Sequence, residues 1–98
     1  MKSKLKVKST IIRTDSVTED GARYVYSLTQ RQSQSVASYR IPLYSVHIEL
    51  TDREGNRTEA SVDDAFSDVG RAIVFYDRLR ENLATPLNLP YIFEDEKV

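Results

Sequence analysis

The chain contains no cysteine. Disulfides, thiolate zinc sites and a cysteine nucleophile are therefore excluded. It has a single histidine, His47, so no site within one chain can draw on two imidazoles. No run approaches the roughly 18 consecutive apolar residues of a membrane-spanning helix. The basic start MKSKLKVKST has the charge of a secretory leader, yet no apolar stretch follows it. A glycine-rich phosphate loop is missing as well, and with it the backbone cradle that holds nucleotide phosphates. These absences point to a cytoplasmic protein with no membrane anchor and no cofactor.

What is present suits one globular domain over residues 1–98. The 98 residues are 40% apolar and 30% charged, enough for a single core of modest size. The net charge of −1 conceals an asymmetry. Residues 1–40 carry eight Lys/Arg and three Asp/Glu, a net of +5, and residues 41–98 carry six against twelve, a net of −6. Neighbouring elements of opposite charge neutralise one another once folded, and sequence halves are not surface halves. A dipolar surface favouring head-to-tail association or anion binding is the sharper alternative.

The longest periodic signal is Ser67–Leu83. Val69, Ala72, Ile73, Tyr76, Leu79 and Leu83 recur at spacings of three and four, one side of a helix, and Phe75 widens the stripe. Ser67 is placed to cap it, with Asp68 near the positive end of the helix dipole. A helix with one apolar stripe needs a partner layer, and everything before it reads as strands. Residues 3–13 alternate, with Lys2, Lys4, Lys6 and Lys8 on the wet side and Leu5, Val7 and Ile11 opposite. Thr14–Ala22 reads as a connection whose tightest turn is Asp20-Gly21. Ala22–Gln30 is a second strand, paired with the first and turning Ala22, Tyr24, Tyr26 and Leu28 inward.

Arg31–Ser38 is polar and reads as a loop. Tyr39–Thr51 follows as the longest strand, with Tyr44, Val46, Ile48 and Leu50 inward and Ser45, His47 and Glu49 outward. Pro42 cannot donate to a ladder, which predicts an edge or a bulge there. Asp52–Asn56 makes a hairpin turn in which Gly55 and Asn56 take positive φ. Arg57–Val62 returns as a short fourth strand with Thr58, Ala60 and Val62 inward. Pro86 stops the long helix. Thr85 then caps a short second helix with Pro86 at its first position and Leu87, Leu89, Ile92 and Phe93 on its apolar side. The order ββββαα predicts an α+β domain: a four-stranded antiparallel sheet covered on one face by one long helix and a short C-terminal helix.

The stretch from Tyr44-Ser45-Val46 through Ser67-Asp68 to Thr85-Pro86-Leu87-Asn88-Leu89, with Ile92 and Glu94-Asp95, resembles a family of small bacterial proteins from Gram-positive anaerobes, a domain of unknown function. The resemblance covers roughly residues 44–95. Ser45 stands where the family pattern has glycine and Asn88 where it has histidine, and Pro90 interrupts the last turn. The resemblance implies a fold and no activity.

Four groups of residues are candidates for function. Asp63, Asp64 and Asp68 have the chemistry to ligate a hard cation, but their spacing matches no metal loop and they also suit helix capping. His47 is the one general base titrating near neutrality, with Glu49 on its face. No nucleophile in a recognisable turn accompanies it, so the chain reads as non-enzymatic. Lys4, Lys6 and Lys8 form a basic row that suits a phosphate backbone, or simply a solvated strand that resists pairing with another chain. Of the six tyrosines, Tyr24, Tyr26 and Tyr44 have inward parity, while Tyr39 and Tyr91 are free to sit on the surface, where tyrosine favours interfaces. The expected role is protein association, with itself or a larger partner. Weak nucleic-acid binding through the lysine strand is the alternative.

Overall fold

A computed structural model describes residues 9–32 and 41–96. Four strands, β1 (Thr10–Glu19), β2 (Ala22–Gln32), β3 (Pro42–Thr51) and β4 (Arg57–Phe66), form one sheet in the order β1-β2-β3-β4, every pair antiparallel. Two helices follow, α1 (Val69–Glu81) and α2 (Leu89–Glu96). α1 packs over β2, β3 and β4, and α2 lies on β4. The expected α+β architecture, a four-stranded antiparallel sheet with its helices packed against it, is what the chain adopts. No helix among the described residues is long and apolar enough to cross a membrane.

The alternation in β2 and β3 builds the core. Tyr26, Leu28, Tyr44, Val46 and Ile48 are buried on the helix side of the sheet, against Ala72, Phe75, Tyr76 and Leu79 of α1. Cross-strand partners Tyr26↔Ile48 and Leu28↔Val46 place these side chains directly opposite one another, the arrangement that stabilises a sheet face. Leu89 of α2 is fully buried, and Phe93 meets Phe66 and Phe75 edge-on, with ring centroids 5.9 Å away in each case. The C-terminal segment is therefore part of the core.

Several boundaries differ from those expected, each for a physical reason. β1 begins at Thr10 and continues to Glu19, so the polar stretch after Thr14 is strand and the connection shrinks to Asp20-Gly21. Both turn residues have positive φ, 52° and 81°, the conformation that matches a two-residue turn to the twist of its strands. β1 is polar because it is an edge strand beyond the helix layer, with only Val17 packed against the core. β2 continues to Gln32, and the rest of the expected loop, with Tyr39, lies outside the described residues. Pro42 stands where β3 has a neighbour on one side only, since the pairing with β4 begins at Tyr44 and its bulge follows directly. It opens an inner strand opposite Gln32, at an end of the ladder where a missing donor costs little.

β4 is longer than its thin apolar pattern suggested. Between Tyr44↔Phe66 and Val46↔Val62, β3 advances by two residues and β4 by four, so two extra residues bulge out of β4. The bulge carries the strand on to Phe66, which joins the core. In the turn before β4, Gly55 has φ 91°, while Asn56 keeps negative φ. The Asp52 carboxylate accepts from the Glu54 and Asn56 backbone N–H groups at 2.9 and 2.8 Å. Asn56, through its backbone first, holds that carboxyl below its usual range.

The cap of α1 is Asp68 rather than Ser67, its carboxylate accepting from the Arg71 N–H at 2.9 Å. At the other end Leu83 has left the helix with φ 51°, Ala84 N–H donating to the Leu79 carbonyl at 3.0 Å and Leu83 N–H to that of Arg80 at 3.3 Å. These two bonds make a Schellman closure with leucine in the place that usually favours glycine. Thr85 does act as a cap. Its hydroxyl accepts from Asn88 N–H at 3.3 Å while the Asn88 side chain accepts from Thr85 N–H at 2.8 Å. Regular helix starts only at Leu89, which turns Leu87 out into solvent instead of onto the apolar side.

Candidate interaction surface

The side chains bearing polar chemistry fall into three groups. On the helix-free face of the sheet, Arg31 of β2 reaches across β3 to the bulge in β4. Its guanidinium donates to both Asp64 carboxylate oxygens, at 2.9 and 2.5 Å. Asp64 sits at φ 52°, and its backbone N–H donates to the Ser45 hydroxyl at 2.8 Å. The pair keeps the Arg31 guanidinium charged, its pKa raised first by the hydrogen bond to Asp64. Asp64 thus anchors the bulge, and Asp68 caps α1. Of the three aspartates read together in the sequence, these two serve different contacts, and Asp63 lies exposed on β4.

His47 lies on the same face, and its partner is Glu59 of β4, with Nε2 2.9 Å from a carboxylate oxygen. Glu49 instead pairs with Arg57 at 2.5 Å. Both partners are diagonal neighbours across the β3–β4 ladder, since Ser61 stands opposite His47 and Glu59 opposite Glu49, and diagonal neighbours are within reach of long side chains. Ser27 and Ser61 stand opposite His47 on its two flanks. The imidazole hydrogen bond goes to Glu59, and the arrangement holds the ring on an open, polar sheet face.

The second group joins α1 to β1. Tyr76 is buried, and its hydroxyl donates to Asp15 at 2.6 Å with the Tyr26 carbonyl also in range at 3.1 Å. Arg80 donates to Asp77 at 3.0 Å and lies 3.7 Å from Asp15, and Arg13 reaches Asp77 at 3.4 Å. Burial first, then the Asp15 hydrogen bond and charge, push the Tyr76 phenol well above its ordinary value. The Tyr26 hydroxyl donates to the Ala84 carbonyl at 2.9 Å, and burial, then Tyr24, push its pKa up to about 12. Neither phenol is a base at neutral pH. Both tie layers together, a role that their inward parity indicated only in part.

The third group is apolar and exposed. Leu87 is 82% exposed and Tyr91 is 72% exposed, four residues apart across the start of α2. Leu87 borders an apolar cleft of about 500 Å³ together with Leu50, Thr58, Glu59, Thr85 and Pro86. Of the residues singled out for interaction in the sequence, Tyr91 is on the surface, whereas Lys4, Lys6, Lys8 and Tyr39 lie outside the described residues. Leu87 and the cleft were not foreseen. The signal available was Pro90, which delays regular helix and thereby takes Leu87 off the buried side.

A two-layer α+β domain, a sheet meander with two helices packed on it, defines the structural class. The sequence match is more specific: residues 7–96 correspond to a family of unknown function, DUF6514, and the chain belongs to that family. The match takes in the first strands, which the resemblance seen in the second half left out. No curated protein and no solved structure matches the chain.

Proposed function

We propose that this domain is non-enzymatic and works by protein association, with itself or with a larger partner. The observation that carries the reading is exposed Leu87 on the apolar cleft at Leu50 and Pro86, with Tyr91 exposed four residues further on. Leaving a leucine in water forgoes about 1.5–3 kcal/mol of burial. An aliphatic side chain at the rim of an apolar hollow and an exposed tyrosine nearby in sequence are residue types that interfaces use. A cytoplasmic, bacterial setting is part of the same proposal.

The alternative is nucleic-acid binding through the row Lys4, Lys6 and Lys8. Against it, Arg13, Arg31, Arg57, Arg78 and Arg80 each have a carboxylate partner, so the described surface offers those cations to phosphate only at the loss of an ion pair. Two experiments separate the readings. Leu87→Ser with Tyr91→Ser leaves the melting temperature within a few degrees and abolishes cross-linking to the partner, reconstituted from purified components. Unchanged cross-linking removes this surface from the account. A mobility shift of labelled RNA or DNA that weakens as salt rises puts the alternative first.

A further inference from the structure

The outer edge of β1, which no described strand covers, has a self-complementary pattern, and we infer that two copies of the chain pair through it, antiparallel and centred on Ser16, to join their four-stranded sheets into one. This goes beyond the association proposed above, because it uses a different surface and names a second copy as the occupant. Pairs in an antiparallel ladder alternate between hydrogen-bonded and non-hydrogen-bonded. Glu19↔Ala22 closes the two-residue turn, so Arg13, Asp15, Val17 and Glu19 spend their backbone bonds on β2. Thr14, Ser16 and Thr18 then turn their N–H and C=O groups toward the free edge.

Only registers that set even-numbered residues against even-numbered ones let these groups meet. Centring on Asp15 puts Asp15 against itself, and centring on Val17 puts Asp15 against Glu19. Both registers are repulsive. Centring on Thr14 runs directly into the irregularity between Ile11 and Arg13. Centring on Ser16 uses Arg13–Glu19 without interruption. It sets Arg13 against Glu19, Thr14 against Thr18, Asp15 against Val17 and Ser16 against itself, and the two-fold axis makes the Arg13–Glu19 ion pair twice. Glu19 has no ion pair among the described residues. The other edge is guarded. β4 carries the bulge at Asp64 and the charges of Arg57, Glu59 and Asp63, the devices that block edge pairing. Among the described residues no strand pairs with the outer edge of β1, and α1 meets β1 through the side chains of Arg13 and Asp15, which leaves that backbone edge to a partner strand.

Sedimentation velocity over a concentration series tests the pairing. Wild type shows a monomer–dimer equilibrium. Glu19→Arg or Arg13→Glu weakens it by about tenfold or more, since each change acts twice per dimer and sets like charges opposite one another. The double exchange restores it. Register is read independently, because the chain has no native cysteine. Ser16→Cys cross-links to itself on mild oxidation, its Cα atoms about 5.5 Å apart in such a pair. Thr14→Cys and Thr18→Cys cross-link when mixed but not alone. A wild type that stays monomeric at every concentration overturns the inference and leaves the Leu87–Tyr91 surface standing. A dimer indifferent to both charge changes, or Thr14→Cys cross-linking to itself as readily as Ser16→Cys, overturns it while leaving self-association in place.

Discussion

The two flanks of α1 are held by different forces. Toward β3, β4 and α2 the helix meets Val46, Ile48, Phe66, Leu89 and Phe93, and the contact is almost wholly apolar. Toward β1 it meets Asp15 and Arg13 through Tyr76, Asp77 and Arg80, and the contact is a chain of hydrogen bonds and ion pairs. Apolar contact is non-directional and scales with area. A polar chain has fixed geometry and a smaller net value, because water competes for every group in it. The apolar flank supplies stability, and the polar flank sets where β1 sits.

The largest expected effect breaks the apolar flank. Phe75→Ala removes a fully buried ring that contacts both Phe66 and Phe93, and should cost about 3–5 kcal/mol in chemical denaturation. Leu79→Ala, also fully buried, should cost about 2–5 kcal/mol. Val74→Ala, on the side of the same helix where the residue is 56% exposed, should stay within about 0.5 kcal/mol. Equal losses for Leu79 and Val74 would mean that the buried stripe of α1 is misplaced.

On the polar flank the expected losses are smaller. Asp15→Ala leaves the Tyr76 hydroxyl with only the Tyr26 carbonyl and takes a carboxylate from beside Arg80, at a cost of about 1–3 kcal/mol. A double-mutant cycle with Tyr76→Phe should show coupling, and strict additivity would dissolve the network into independent contacts. The smallest effect is a pH dependence. Tyr26, raised from 10.0 to about 12, and Tyr76, raised further in the same direction, hold their protons longer folded than unfolded. Stability from this source is complete below pH 10 and falls as pH rises through the folded values, because only the unfolded chain ionises there. Tyr26→Phe should flatten that alkaline decline in denaturation series, and an unchanged slope would remove Tyr26 as its source.

The same contrast explains what could be read from the sequence. The apolar flank was legible because burial imposes a period: two residues in β2 and β3, three to four in α1. The extent of β1 past Arg13 was not legible because an edge strand with one apolar residue on the core shows no such period, and the lysine alternation lies outside the described residues. The bulge at Asp64 escaped for a related reason. Its partners, Arg31 and Ser45, are far away in sequence and are brought together only by the ladder. Leu87 was read by composition as buried, while its exposure depends on where Pro90 and the Thr85–Asn88 cap let α2 begin. Tyr91 could be proposed for the surface because nothing in its spacing tied it to the core.

Native-state hydrogen exchange in dilute solution compares the two flanks most directly. The amides of Arg13, Asp15 and Val17 bond to β2 at the polar flank, and those of Val25, Ser27, His47 and Glu49 join β2 to β3 beneath the helix. The β1 set should open with a free energy clearly below that of global unfolding, while the inner set exchanges only when the whole domain unfolds. If Arg13, Asp15 and Val17 are as slow as the inner set, β1 is held by the core after all, and the division into an apolar and a polar flank is wrong.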